Sequence, residues 1–154
     1  MMQKRKSPGG SIWQFIPHPY RQIGDQVILD DDDRLTIARA FQEIVRTGCS
    51  YLDAAFVLYA GGITPPDGGC WTEKVEARWF FENPIHTGHL IEIPPGKENG
   101  NPVKNSPILT IYPANIQGGP VVDIETWLAA NADIQKKELI IRDVDYAWLA
   151  RIRP

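Results

Sequence analysis

From Val75 to Glu82 the side chains alternate between apolar and polar. Val75, Ala77, Trp79 and Phe81 fall on one side of an extended chain, Lys74, Glu76, Arg78 and Glu82 on the other, and Phe80 breaks the rule. Successive strand residues point to opposite faces, so the pattern predicts a half-buried strand. Asn83-Pro84 reads as a turn, because proline has no N–H to donate and pushes the residue before it out of helical geometry. A second strand over 86–93 closes at Pro94-Pro95-Gly96, and the two strands make an antiparallel hairpin. A lone hairpin is marginal in water, so its apolar face needs a cover of helices or further strands.

The period changes upstream. Leu35, Ala38, Phe41 and Val45, with Ile37 and Ile44 beside them, recur at helical spacing and predict an amphipathic helix over 33–46. The run Asp30 to Asp33 suits its start, because aspartate caps free backbone N–H groups and favours the positive end of the helix dipole. The run lacks the spaced oxygen ligands and turn glycine of a calcium loop. Arg39 and Glu43 pair on the exposed side, and Gly48 stops the helix. Ser50, with Asp53 three residues on, opens a second helix over 51–60. Only Asp53 in it is polar apart from the tyrosine hydroxyls, so burial on most sides is expected, with a strand over 56–59 as the alternative. Joined by Thr47-Gly48-Cys49, the two helices make an αα-hairpin.

Shorter apolar segments at 12–16, 26–29, 108–112, 138–142 and 146–152 read as strands, the last with a terminal helix as its alternative. Pro17-His18-Pro19 restricts the first to an edge strand or an extended packing arm. A helix over 123–132 has Asp123 as its cap and Ile124, Trp127 and Leu128 as its buried stripe. Residues 61–69 and 94–107 are long Pro/Gly loops without a phosphate-binding pattern. The sum is a single α+β domain over 12–154, preceded by a flexible basic arm over 1–11 that carries Lys4, Arg5 and Lys6. An antiparallel sheet of four to six strands packs on two or three helices, the αα-hairpin lying in the N-terminal half.

Composition narrows the classes. With 154 residues, 43% hydrophobic and 23% charged, the chain suits one globular domain with a full core. A net charge of −3 argues against a dedicated nucleic-acid binder. The apolar run from Ala54 to Ala60 is too short to span a bilayer, which takes about 20 residues. The basic start is followed by no apolar signal region, which leads us to expect an intracellular, cytoplasmic protein. Cys49 and Cys70 are expected as free thiols, with a disulfide between them as the alternative.

Candidate chemistry gathers around Glu82, His86, His89 and Glu92. Imidazoles and carboxylates are the donors of a metal centre, and these four would serve a small metal-dependent hydrolase or nuclease. Two histidines three apart in an extended chain point to opposite faces, however, so this is the second reading. His18, in a rigid His-Pro-Tyr-Arg segment, is a further candidate general base. No nucleophile or dinucleotide signature is present. The leading reading is therefore a non-catalytic protein-binding or assembly protein without a cofactor, a subunit or inhibitor of the kind that viruses and mobile elements encode. It has a protein partner or associates with itself. Phe80, ringed by Glu76, Arg78 and Glu82 on the polar side of the expected strand, resembles the centre of an interface. Phe80, Arg78, Trp13, Lys4, Arg5 and Lys6 are the expected contact residues. A third reading has Lys4, Arg5, Lys6 and the C-terminal Arg142, Arg151 and Arg153 touching nucleic acid, which demands steep salt dependence.

Overall fold

The computed structural model describes residues 2–7, 10–65, 68–71, 74–93 and 106–142, with 2–7, 10–15, 74–75 and 92–93 described by backbone alone. Residues 2–7, expected within a flexible arm, form strand β1 (Met2–Ser7). It pairs antiparallel with β2 (Gly10–Phe15), from Met2 opposite Phe15 to Ser7 opposite Gly10. Pro17 falls just beyond β2, so the ladder loses no donor and the strand takes partners on both sides. Then β3 (Arg21–Ile23) and β4 (Gln26–Ile28) make a separate two-stranded ribbon. Its two-residue turn has Gly24 first, at φ 61°, a conformation glycine adopts without steric cost.

Helix α1 (Asp31–Thr47) carries Asp31, Asp32 and Asp33 in its first turn and Arg46 in its last. Both ends suit the macrodipole. Asp30 occupies the cap position without a side-chain bond, so the acidic run acts through charge. Gly48, at φ 69°, ends the helix and donates its N–H to the Ile44 carbonyl. The buried stripe is Ile37, Ala40, Phe41 and Ile44, while the expected members Leu35 and Val45 are 55% and 47% exposed. The compact apolar set at i, i+3, i+4 and i+7 wins, because it alone faces the helices on either side. Glu43 pairs with Arg46 at 2.8 Å rather than with Arg39.

Helix α2 (Tyr51–Ala60) begins as its sequence predicts, the Ser50 hydroxyl accepting from the Asp53 N–H at 3.0 Å. A Cβ at Gly61 would lie 2.4 Å from Thr36 Cγ2. Glycine there lets the end of α2 meet the start of α1, and the two helices pack as an αα-hairpin. Only one side of α2 is buried, through Ala54, Ala55 and Leu58.

The expected hairpin over 75–93 is not formed. Residues 74–82 are helix α3 (Lys74–Glu82), followed by a 3-10 turn (Pro84–Thr87) and strand β5 (His89–Ile93). The helix brings Ala77, Phe80 and Phe81 to one side and joins Arg78 to Glu82, four residues on, at 2.9 Å. Phe80, the exception in the alternating pattern, belongs to the buried side of the helix. Asn83-Pro84 starts the 3-10 turn, Pro84 near its first position and the Asn83 side chain accepting from the Ile85 N–H.

Strand β6 (Ile108–Pro113) pairs antiparallel with β5. The chain then runs through α4 (Ile124–Ala130) and α5 (Ala132–Gln135) and returns as β7 (Glu138–Ile141), parallel to β6. Parallel neighbours need such a crossover. The sheet order is β1-β2-β5-β6-β7. The fold is mixed α+β, but the sheet is mixed rather than antiparallel, and its helices outnumber the two or three expected. Asp123 caps α4 as predicted, accepting from the Thr126 N–H at 2.7 Å. The expected strand or helix over 146–152 lies outside the described residues. One core joins Leu109, Ile111 and Ile91 of the sheet to Phe41, Leu58, Phe81 and Trp127 of the helices.

Candidate functional site

His86 stands at the junction of the 3-10 turn with α1 and α3 and is fully buried. Its Nε2 lies 2.7 Å from the Phe80 carbonyl and its Nδ1 2.8 Å from the Tyr20 hydroxyl. A carbonyl can only accept, so Nε2 carries the proton and Nδ1 accepts from Tyr20. Both ring nitrogens are thereby used in a neutral imidazole. Phe80, Phe41 and Tyr20 surround the ring at centroid distances of 4.7, 5.2 and 5.4 Å. Burial holds its pKa down to about 4, against the smaller opposing effect of the Phe80 carbonyl. Burial also pushes the Tyr20 hydroxyl above its ordinary range. His86 is a satisfied core histidine, with no lone pair left for a metal ion or a substrate proton.

The other candidates do not join it. His89 is half-buried, its Nδ1 2.9 Å from Thr87 Oγ1. The Thr87 hydroxyl gives its single proton to the Pro84 carbonyl, so Nδ1 of His89 is the donor of that pair. Burial lowers the His89 pKa, with a hydrogen bond to the Thr87 backbone acting the other way. His18 is exposed beside the start of α1, where it opposes the rise that burial and neighbouring aspartates impose on Asp33. Glu82 is buried and bound to Arg78, while the Glu92 side chain lies outside the described residues. Among the described residues no three His, Cys, Asp or Glu side chains converge as metal ligands. Cys49 and Cys70 are free thiols, and no disulfide joins them.

Among the described residues a cluster of charges links α3 to α5. Arg78 donates to Glu82 at 2.9 Å and to Asp133 at 2.8 Å. Burial raises the Glu82 pKa, against the lowering effect of Arg78. Nearby, Tyr51 donates to Asn131 Oδ1 at 2.7 Å, and Asn131 donates to the carbonyls of Phe81 and Trp127. This network ties α2, α3 and α4 together. Its donors and acceptors are spent internally, which makes it a brace between helices.

Phe80, expected at the centre of a surface, is in the core. Phe80 is 3% exposed, packed edge-on against Trp71 and Phe81. Arg78 bridges two carboxylates, Glu82 in the core and Asp133 at the surface. For Trp13, Lys4, Arg5 and Lys6 the structure gives the register alone: Lys4 opposite Trp13, Arg5 opposite Ile12, Lys6 opposite Ser11. The exposed aromatics lie elsewhere. On α2, Phe56 is 58% exposed and Tyr59 49%, with half-buried Leu52 in line, four and seven residues before them. Phe56 falls on the side of α2 away from Ala54 and Leu58, while Leu52 and Tyr59, three residues before and four after Ala55, flank the buried side. Trp79 is exposed on α3, one position from the residue that the strand pattern singled out. The clue to α2 was present: a helix with one charged residue cannot be covered on every side in a domain this small.

No family model, curated protein or solved structure matches the chain. No helix among the described residues is long and apolar enough to cross a membrane.

Proposed function

We propose that this chain is a non-catalytic protein-binding or assembly protein, and that it meets its partner through the outer face of α2. The supporting observation is the exposure of Phe56 midway along that helix, beside Tyr59 and Leu52. Fully burying a phenylalanine side chain favours association by about 1.5–3 kcal/mol, and exposed aromatics of this kind are the usual anchors of interfaces. Arg39 on the neighbouring α1 is exposed and has no ion pair among the described residues, and arginine is the other side chain enriched at such contacts. The hydrolase reading is not favoured, since His86 has both nitrogens engaged in the core.

The test is capture with the whole protein as bait, comparing wild type with Phe56→Asp. The expected result is one or more proteins, or further copies of the chain, held by wild type and released by the variant at unchanged helix content. Equal capture by both, or none by either together with a single mass at all concentrations, overturns the reading.

A further inference from the structure

The sheet ends on one side at β7, which among the described residues is paired with β6 and with no other strand. The Glu138 N–H goes to the Pro107 carbonyl and the Arg142 N–H to the Ile111 carbonyl. Backbone groups alternate in direction along a strand, so Ile140 also turns toward β6, while Leu139 and Ile141 turn their N–H and C=O groups outward. Ile141 shares the face of Leu109, Ile111 and Leu139 that packs into the core, yet it is 48% exposed because the sheet stops beside it. Glu138 and Arg142 lie equally far on either side of Ile140. Both are exposed, and neither has an ion pair among the described residues. Sheet edges are commonly guarded by charge, proline or a bulge. At the opposite edge β1 carries Lys4, Arg5 and Lys6, so two copies joined there would set positive charge against positive charge. Leu139-Ile140-Ile141 in β7 has neither charge nor proline.

We propose that β7 pairs antiparallel with β7 of a second copy, about a two-fold axis at Ile140, so that the two sheets become one. This surface is separate from the α2 face and goes beyond that reading. With Ile140 on the axis, Leu139 of each copy stands opposite Ile141 of the other. These are the residues whose backbone groups face outward, so every outward N–H of the pair finds a carbonyl. The same register sets Glu138 opposite Arg142 at both ends, and opposite charges facing each other across strands favour the pair. Ile141 then lies against Leu139 of the other copy and loses its water. A slip that faced Ile141 with Lys137 would call on the Lys137 N–H, which the Ile134 carbonyl already holds. This short stretch thus matches its own reverse, as a contact between like copies requires and an unrelated strand does not.

A contact this small is weak, so the test is NMR on the full chain over a series reaching about 1 mM, read as translational diffusion and amide exchange. Wild type is expected to pass from monomer to dimer. The Leu139 and Ile141 amides should exchange fast when dilute and slow as the dimer fills, while the Ile140 amide stays protected throughout. Ile141→Pro removes an outward N–H that β6 does not use, a place where an edge strand tolerates proline. It should keep the fold, checked by circular dichroism, and raise the dissociation constant about tenfold, on the order of 1.4 kcal/mol. Glu138→Arg and Arg142→Glu should each dimerise more weakly, because like charges then face each other, and an equal mixture of the two should recover the wild-type constant. Phe56→Asp should dimerise as wild type does. Monomeric wild type to the top of the series, which would leave the edge to an extended segment of another protein, overturns the proposal. So does a dimer indifferent to Ile141→Pro, one abolished by Phe56→Asp, or a mixture no stronger than either charge-reversed variant alone. Capture repeated with Ile141→Pro as bait reads the α2 face without pairing of copies, so the two readings fail separately.

Discussion

Phe81 and Phe56 sit on helices packed against each other, yet one is fully buried and the other 58% exposed. Phe81 stacks on Tyr51 and meets Phe41 and Phe80 edge-on, at centroid distances of 5.9, 5.2 and 5.3 Å. Around it the polar groups are answered from within: His86 by Tyr20 and Phe80, Asn131 by Tyr51, Phe81 and Trp127. Phe56 has no such surroundings, and its face of α2 carries apolar groups that folding leaves in water. The contrast separates two uses of aromatic side chains in one small domain. Phe80, Phe81 and Tyr51 hold the fold, and Phe56 is the side chain proposed for a contact.

The strongest test of this division is truncation on the buried side. Phe81→Ala should cost about 3–5 kcal/mol, the sum of lost burial and a cavity, read as a shift in the urea midpoint. Next comes acid. The His86 pKa is about 4 in the fold, below the ordinary histidine value of 6.5. As pH falls, the unfolded chain takes up its proton first, so stability is complete above about pH 6.5 and is lost as pH drops toward 4. The loss should approach about 3 kcal/mol. Glu82, whose pKa burial raises, works the other way: its contribution declines as pH rises through the carboxylate range. His86→Gln should therefore flatten the slope between pH 4 and 6.5, measured by thermal unfolding across pH. A slope unchanged by that substitution would place the acid-sensitive group elsewhere. Smaller again is the cap of α2: Ser50→Ala should cost about 1 kcal/mol by removing the acceptor of the Asp53 N–H.

The same contrast explains what could be read in the chain beforehand. Elements with marked ends were legible. Asp31 to Asp33 and Gly48 bound α1, Ser50 starts α2, Asp123 starts α4, and short apolar runs locate β4, β6 and β7. The segment 74–82 was not, because eight residues of alternating character also fit two turns of helix. Phe80 out of step, and Arg78 four residues before Glu82, were the signs of the helical period. That one misreading put the buried Phe80 on the expected surface and its exposed neighbour Trp79 on the expected buried face. It also put His86 on a strand, when its place in a 3-10 turn aims both nitrogens into the core. The antiparallel expectation for the sheet failed for another reason. The direction of β7 is set by the length of the α4–α5 crossover, which no local pattern around Glu138 records.

The central claim is that Phe56 serves contact and not folding, and the free energy of unfolding of Phe56→Asp beside wild type tests it most directly. In dilute solution the two should agree within about 0.5 kcal/mol, as surface substitutions do. With the captured partner added, wild type alone should gain stability, because a partner that binds the folded state shifts the equilibrium toward it. A loss of several kcal/mol at dilution would return Phe56 to the core and remove the support for a binding face on α2.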